Sequence, residues 1–345
     1  MRIGILQLNS LLADPEANGR TLEAAYGRAV SMGAELVLTP EMAVPGYLAE
    51  DRLWEVGLRR RILAESERLA AISGSVPLVL GTCSPSPSGR LWNELWWCED
   101  GGVKVQARKR ILASYDVFDE TRYFDPGQEI LEPVAFKGER VGLSICEDLW
   151  ADPELAPGPI RYAFDPIRDL AAQGATLMLN ASASPGHLGT WVPPGKAPGW
   201  AVPGKLELRR RLLQGHARRH GVPIAYASRV GSESWLTFDG GSGLVFPDGT
   251  WRGAPPFQES VFLVDTQASG LPWLVDPAEA QWLRQALGLG LRENLAKQGL
   301  EAVVVGLSGG IDSAVVAAVA AENLGPERVL GAALPTRFTS PESLH

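Results

Sequence analysis

The feature that most constrains the fold of this chain is a short loop with the sequence Ser-Gly-Gly-Ile-Asp-Ser at residues 308–313. It follows an apolar run at residues 302–307 and precedes a helical pattern at residues 314–324. A strand that passes through glycines into a helix directs several backbone N–H groups and the positive end of the helix at one point, which suits a phosphate group. The pattern therefore predicts the beginning of a parallel α/β domain that binds a nucleotide.

Most residue types in this loop have a chemical reason to contact phosphates. Gly309 and Gly310 allow the backbone to approach closely, and the hydroxyls of Ser308 and Ser313 can add hydrogen bonds. Asp312 either holds Mg²⁺ or caps the helix, and the sequence leaves both roles open. The alternative for the whole loop is a simple strand-to-helix turn. The candidate cofactor-binding residues are Gly306, Leu307, Ser308, Gly309, Gly310, Ile311, Asp312 and Ser313.

Helical and strand patterns alternate through residues 1–265, which predicts an α/β or layered α+β domain. Helical spacing occurs at residues 22–31 and 58–73. Short buried strands are predicted at residues 35–38, 77–81, 141–146, 175–179 and 223–227.

Proline and glycine are dense at residues 183–204, where we expect a surface loop or lid, with an insertion at about residues 188–203. A capped helix is predicted at residues 276–298, and it leads into the strand before the glycine loop. The predicted domain organisation is a first domain at residues 1–270, a linker helix at 271–300 and the N-terminal part of a second domain at 301–345. Since that last part has too few strands and helices to close a core, we expect the second domain either to be truncated or to be completed by a partner.

Composition restricts the partners and the compartment. The 345-residue chain carries a net charge of −8, which argues against binding to nucleic acid or to an acidic membrane, since both normally need a basic face. We expect small molecules as partners, and other subunits in a homo-oligomer. The cysteines, Cys83, Cys98 and Cys146, show no CxxC spacing, so neither a disulfide framework nor a zinc site is predicted. Reduced thiols are typical of a cytoplasmic protein.

The N-terminus begins directly as a strand at residues 1–8, with no basic and apolar leader before it. The chain also lacks a run of about 18 uncharged apolar residues. We expect a protein that is neither exported by a signal peptide nor inserted in a membrane.

Three segments of the first domain carry reactive side chains, and each has an ordinary structural explanation. Glu41 follows an apolar strand and is typical of a solvated loop carboxylate. Lys109 lies between Arg108 and Arg110, as in a solvated basic face. Cys146 ends an apolar run, where a lone cysteine is usually a buried structural residue. None of the three segments alone predicts an active site.

Together and in this order, the three segments resemble the Glu, Lys and Cys segments of the nitrilase superfamily of carbon–nitrogen hydrolases. The stretch at residues 115–124 resembles the motif that follows the lysine in the glutaminase domain of glutamine-dependent NAD synthetases, and the loop at 308–313 resembles the pyrophosphate loop of ATP-dependent synthetases. The resemblance covers nearly the whole chain. It implies a layered α-β-β-α sandwich of the nitrilase type, followed by the beginning of a Rossmann-like nucleotide-binding domain.

The chemistry of these residues can be argued independently. A carboxamide is a poor electrophile, so its hydrolysis needs a thiolate, an oxyanion stabiliser and a proton shuttle. Cys146, Lys109 and Glu41 supply these parts. We expect the Lys109 ammonium to lower the pKa of the thiol and to stabilise the oxyanion. Glu120 is either a second carboxylate that orients Lys109 or a structural partner of Arg122 or Arg108.

The resemblance implies L-glutamine as the substrate of the first domain, with Tyr115, Ser184 and Lys205 as the residues that bind it. Lys205 is the best match for an expected lysine, although it lies farther along the chain than the family pattern has it. The resemblance further implies that ATP and Mg²⁺ serve a synthetase step. In that step deamido-NAD is adenylated and ammonia from the first domain displaces AMP to give NAD, with Asp312 as the candidate metal ligand.

Two other functions remain open from the sequence. One is a stand-alone amidase of the nitrilase superfamily, in which the C-terminal piece is vestigial. The other is a non-catalytic scaffold subunit that keeps the fold. The presence of Glu41, Lys109 and Cys146 argues against a scaffold, and the loop at 308–313 argues against a stand-alone amidase.

Overall fold

The computed structural model describes residues 1–156, 161–189, 204–271 and 279–335. It divides into two compact units. The first comprises Met1–Val230 and Phe238–Asp276, and the second comprises Gly231–Thr237 and Pro277–His345. The domain limits expected from the sequence remain a prediction.

The first unit contains two sheets. The strands of these sheets are β1 (Arg2–Gln7), β2 (Leu36–Leu38), β3 (Leu78–Pro85), β4 (Leu91–Glu99), β5 (Gly102–Arg108), β6 (Val134–Phe136), β7 (Glu139–Ile145), β8 (Leu177–Ser182), β9 (Ile224–Ser228), β12 (Gly243–Val245), β13 (Trp251–Gly253) and β14 (Ser260–Asp265). Between β9 and β12, β10 (Val230–Glu233) and β11 (Leu236–Asp239) pair as a separate hairpin, and residues 231–237 of this hairpin belong to the second unit. One sheet has the order β14-β1-β2-β3-β4-β5, and the other has the order β13-β12-β9-β8-β7-β6.

The two sheets pack face to face through one apolar core. Alternate residues of β1, Ile3 and Ile5, point into this core with Leu143 and Leu179 of the facing sheet. The residue between them, Gly4, faces the other way, where an added Cβ would lie 2.8 Å from the Cβ of Ala29. The alternation of side chains along each strand therefore decides which face is buried between the sheets.

Helices cover the outer face of each sheet. They are α1 (Pro15–Ser31), α2 (Val56–Ala71), α4 (Pro166–Ala172) and α5 (Lys205–His220), while the short helix α3 (Glu120–Tyr123) lies in the segment between β5 and β6. Helices α1 and α2 pack on the first sheet, while buried residues of α4 and α5 form a second apolar cluster with β8, β9 and β12. The result is a layered α-β-β-α sandwich, so the predicted fold is confirmed.

Local signals explain several element boundaries. Helix α1 begins earlier than the predicted residue 22, because Asp14 accepts a hydrogen bond from the Ala17 N–H at 3.1 Å and Pro15 occupies the first turn. The five predicted strands exist, with ends shifted by up to four residues. Of the expected loop at 183–204, residues 183–189 form no helix or strand, and residues 190–203 lie outside the described residues.

In the second unit, a parallel strand pair is joined by a crossover helix. Its elements are α6 (Glu279–Gln298), β15 (Val303–Leu307), α7 (Ile311–Leu324) and β16 (Val329–Ala333). Helix α6 packs on α7, and residues 276–278 of its predicted start lie outside the described residues. Several apolar side chains of this unit are exposed, including Val304, Val315, Val316 and Leu330. Among the helices described in either unit, none has the length and apolar character needed to cross a membrane.

Candidate active site

The loops after three strands of the first unit place the predicted reactive residues together. Glu41 follows β2, Lys109 follows β5 and Cys146 follows β7. Strands β2 and β5 belong to one sheet and β7 to the other, so the site is assembled from both sheets. All three side chains are buried.

A buried ion-pair network forms the centre of the site. The Lys109 Nζ lies 2.8 Å from Glu41 Oε1 and 2.7 Å from Glu120 Oε1. Arg122 instead pairs with Asp51, and Arg108 pairs with Glu94. Of the two roles that the sequence left open for Glu120, this geometry favours the orientation of Lys109.

Further hydrogen bonds fix the two carboxylates, and sequence reasoning missed the side chains that donate them. Asn93 Nδ2 donates to Glu41 Oε1 at 2.8 Å, and the Ala183 N–H donates to Glu41 Oε2 at 2.9 Å. The Tyr47 hydroxyl donates to Glu120 Oε1 at 2.6 Å. Each of these side chains meets its carboxylate through the packing of segments that are distant in the sequence, so no local pattern signals a role for Asn93 or Tyr47.

The pKa of the nucleophile reflects opposing effects. Burial, reinforced by the charge of Glu41, raises the pKa of the Cys146 thiol well above its usual value. The Lys109 ammonium lowers this pKa, as expected, but burial outweighs it. The thiol is therefore protonated at rest, and its deprotonation needs a base within the site.

The charge state of Lys109 follows from the same network. Burial alone would lower the pKa of Lys109, but the carboxylates of Glu120 and Glu41 outweigh it and raise this pKa well above its usual value. Burial raises the pKa of Glu120, and the Lys109 charge opposes that shift. The ammonium is thus held as a permanent positive charge beside the thiol.

Cys146 lies at a sharp turn between a strand and a 3₁₀ helix. Its backbone has a φ of +43°, which non-glycine residues seldom adopt, and the 3₁₀ helix Cys146–Trp150 follows at once. Such a conformation costs on the order of 1–3 kcal/mol and persists where the surroundings enforce it. The thiol on this turn lies within electrostatic range of Glu41 and Lys109.

Polar side chains beside the thiol form a second group. Glu147, which follows the nucleophile, accepts hydrogen bonds from the hydroxyls of Tyr115 at 3.0 Å and Tyr162 at 2.6 Å. Lys205 lies at the start of α5 with its Nζ 4.0 Å from the centre of the Trp150 ring. Burial lowers the pKa of Lys205, while the charge of Glu147 opposes this shift, so Glu147 lies within electrostatic range of Lys205.

The remaining predicted residues divide between the two units. Ser184 is buried directly after Ala183, whose N–H contacts Glu41. In the second unit, Gly309 has a φ of +78° and the Ser308 N–H donates a hydrogen bond to Ser313 Oγ at 3.2 Å.

Glu147 and Tyr162 were missed because no pattern in the sequence distinguishes them from ordinary polar residues.

The loop at 308–313 has room for a ligand. Residues 307–312 are exposed, and a Cβ added at Gly306 would meet no atom within 4 Å. Asp312 lies in the first turn of α7. In the part of the chain that the structure describes, no three His, Cys, Asp or Glu side chains cluster as metal ligands. The donor set of the loop therefore fits a phosphate, whereas Mg²⁺ would need ligands besides Asp312.

Comparison with known proteins agrees with this geometry. The family model described as carbon-nitrogen hydrolase matches residues 2–271, and the model described as NAD synthase matches residues 283–345. The chain belongs to the carbon–nitrogen hydrolase family. Across both parts it is similar to glutamine-dependent NAD(+) synthetases, with 36% identity to the Synechocystis sp. protein over 99% of this chain and 61% of that protein. The corresponding identity to the Rhodobacter capsulatus protein is 33%, over 99% of this chain and 58% of that protein.

Solved structures show the same similarity. The glutamine-dependent NAD+ synthetase of Acinetobacter baumannii, in complex with ADP, superposes with a TM-score of 0.83 at 27% identity, covering 99% of this chain and 61% of that chain. An amidase from Nesterenkonia sp. AN1, with the acetamide moiety of fluoroacetamide added covalently at its active-site cysteine, gives a TM-score of 0.58 at 26% identity, covering 82% of this chain and 92% of that chain. The chain thus spans about three fifths of the length of the synthetases it matches.

Proposed function

We propose that the first unit hydrolyses the side-chain amide of L-glutamine through Cys146, Lys109 and Glu41. The observation that carries this proposal is the buried Lys109 ammonium, held between Glu41 and Glu120 within electrostatic range of a thiol on a strained turn. This arrangement supplies a nucleophile, a base and a positive charge for the oxyanion in one enclosed site. The similarity to glutamine-dependent NAD(+) synthetases supports it.

The proposed reaction runs in two halves. Glu41 accepts the proton of the Cys146 thiol as the sulfur attacks the amide carbon, and Lys109 stabilises the tetrahedral oxyanion. Glu41 then donates this proton to the amide nitrogen, and the C–N bond breaks. Ammonia departs, and a glutamyl thioester remains on Cys146. Water, deprotonated by Glu41, attacks the thioester carbonyl, the C–S bond breaks to release glutamate, and Glu41 returns the proton to the Cys146 sulfur. Glu120 keeps Lys109 in place and takes no part in the proton transfers.

The second polar group suits the other end of glutamine. Glu147, held by Tyr115 and Tyr162, offers a carboxylate to an α-ammonium group. Lys205 offers an ammonium to an α-carboxylate, and burial beside Trp150 strengthens that attraction. Ser184 is buried directly after Ala183, whose N–H donates to Glu41, and it is also proposed to bind the substrate. A free amino acid therefore fits better than a simple amide.

The fate of ammonia completes the proposal. We propose that the ammonia displaces AMP from adenylated deamido-NAD and gives NAD, in an ATP-dependent step. The backbone N–H groups and hydroxyls of residues 308–313 would bind the ATP phosphates, and Asp312 would contribute to holding Mg²⁺, which would screen the phosphate charge. The similarity to the NAD synthase model over residues 283–345 supports this assignment. We further propose a cytoplasmic homo-oligomer.

A stand-alone amidase is the second candidate, since the Nesterenkonia amidase shares the fold. Glutamine and butyramide distinguish the two functions, because butyramide is glutamine without its α-ammonium and α-carboxylate. We expect the purified protein to release ammonia from glutamine with a kcat/KM at least about a hundredfold higher than from butyramide, since two charged contacts are absent with butyramide. Equal rates would favour the amidase.

Substitution of the two charged residues tests the same selectivity. We expect Lys205→Ala and Glu147→Gln each to raise the KM for glutamine about tenfold or more, because each removes one charge-assisted contact. Hydrolysis of butyramide should change little. Lys137→Ala is the matched control, since Lys137 is an exposed lysine paired with Glu35 on the surface. A rise in the KM of the control that equals that of Lys205→Ala would contradict the assignment.

A further inference from the structure

A single buried carboxylate joins the backbone segments on either side of the proposed active site. Asp148 Oδ2 accepts a hydrogen bond from the N–H of Ile145 at 3.0 Å, the residue before the nucleophile. Its other oxygen, Oδ1, accepts from the N–H groups of Ile111 at 2.9 Å and Arg110 at 3.2 Å, which follow Lys109. The side chain of Asp148 thus touches the chain next to Cys146 and the chain next to Lys109.

Burial makes these three hydrogen bonds energetically important. Asp148 is only 2% exposed, and an ion in the interior must be compensated by hydrogen bonds or charges. The three backbone N–H groups compensate this charge, with the more distant Lys109 ammonium adding to them. Even so, burial raises the pKa of Asp148 to about 7. A carboxylate kept under such a penalty is expected to have a specific structural task.

One of the two joined segments contains the strained turn at Cys146, and the other contains the hydrogen-bonded backbone of Lys109. The backbone of Cys146 has a φ of +43°, and a hydrogen bond to the preceding N–H helps to enforce that turn. The backbone of Lys109 is fixed on both sides, since its N–H donates to the Asn93 carbonyl at 2.8 Å and its carbonyl accepts from the Gly127 N–H at 2.7 Å. Asp148 therefore links the segment that contains Cys146 to the segment that contains Lys109.

We propose that Asp148 is a positioning residue that sets the placement of the Cys146 thiol relative to the Lys109 ammonium. The proposal rests on the proposed glutaminase function for its kinetic consequence. Among the described residues, the hydrogen bonds that the Asp148 carboxylate accepts come from backbone groups beside the reactive residues, so it acts through them. Loss of the link separates two loops that come from different sheets, and a displacement of about 1 Å in such a site can cost a hundredfold in rate.

The first test is Asp148→Asn, which keeps the size of the side chain. An amide can accept hydrogen bonds on one side only, so its NH₂ group must face at least one of the three backbone N–H donors. We expect kcat for glutamine to fall at least about thirtyfold while KM changes less than about threefold. We also expect alkylation of Cys146 by iodoacetamide at pH 8 to slow at least about tenfold and its pH midpoint to move upwards, since Lys109 stabilises the thiolate less well.

Asp165→Asn is the matched control. Asp165 is also buried and accepts hydrogen bonds from two backbone N–H groups, those of Ile167 and Arg168, but it caps α4 and touches neither catalytic segment. We expect both kcat and the alkylation rate of this variant to remain within about twofold of the parent protein. Equal losses in the two variants, or a loss in Asp148→Asn that only follows the folded fraction measured by circular dichroism, would overturn the proposal.

A second variant keeps the proposal testable if Asp148→Asn does not fold. Asp148→Ser retains a hydroxyl that can accept from the nearby Ile145 N–H but is too short to reach residues 110 and 111. We expect it to fold and still to lose kcat and alkylation rate, whereas parental values of both would overturn the proposal. Alkylation requires no glutamine hydrolysis, so a parent protein that does not hydrolyse glutamine contradicts the proposed function while the alkylation comparison still decides the role of Asp148.

Discussion

We expect the Cys146→Ala variant to lose glutamate release from glutamine by at least about a thousandfold, because the covalent step has no other nucleophile. The substitution removes one sulfur atom from a buried position and leaves the ion-pair network intact, so the protein should remain folded. A coupled assay for glutamate measures the loss, and circular dichroism measures folding. Glutamate release by the variant at one tenth of the parental rate would remove Cys146 from the mechanism.

Chemical labelling gives the control for this prediction within the same chain. Burial raises the pKa of all three thiols, but Cys83 and Cys98 lie outside the ion-pair network, so neither has the base and the ammonium that Glu41 and Lys109 offer to Cys146. A glutamine-like electrophile, such as a chloroketone analogue, should therefore label Cys146 and spare the other two thiols. Mass spectrometry of the digested protein locates the label, and equal labelling of the three cysteines would contradict a directed site.

The fold of the first unit could be predicted because its elements are locally encoded. Short apolar runs identify five of the buried strands, whereas the start of α1 was predicted seven residues too late because the signal of Asp14 and Pro15 was not used. The antiparallel strands β4 and β5 were not predicted, since β4 is buried along nearly its whole length and β5 is largely exposed, so neither has a simple alternation. Inclusion of residues 231–237 in the second unit also depends on long-range packing, which no local pattern records.

The candidate site, like the fold, could be predicted from the sequence only in part. The order of Glu41, Lys109 and Cys146 along the chain was enough to predict that they act together. The partners Asn93 and Tyr47 could not be predicted, because each meets its carboxylate only when distant segments pack. The raised pKa of Cys146 was missed for a related reason: its sign depends on a balance between burial, one ammonium and several carboxylates. A sequence motif shows which charged groups are present, but it does not show their net effect on the pKa of the thiol.

We expect substitution of Lys109 or Glu41 to lower kcat for glutamine at least about a hundredfold, since one oxyanion-stabilising charge or one acid–base group contributes on this scale. Lys109→Met and Glu41→Gln keep the size of each side chain. Lys104→Met is the matched control, because Lys104 is an exposed lysine of β5 outside the network. Lys109→Met or Glu41→Gln with most of its turnover intact would exclude the substituted residue from the catalytic set.

Lys109→Met should also change stability, in a direction that the network fixes. Removal of the ammonium leaves the buried carboxylates of Glu41 and Glu120 without their shared cation, which costs about 3–5 kcal/mol of unfolding free energy. The pKa of Glu120 is already raised above 4.5 in the parent, and loss of Lys109 raises it further. The folded variant then binds more protons than the unfolded chain above pH 4.5, so its stability falls as pH rises. Urea unfolding at pH 5 and pH 8 should show a larger deficit at pH 8, and a deficit independent of pH would mean that the two carboxylates do not share Lys109.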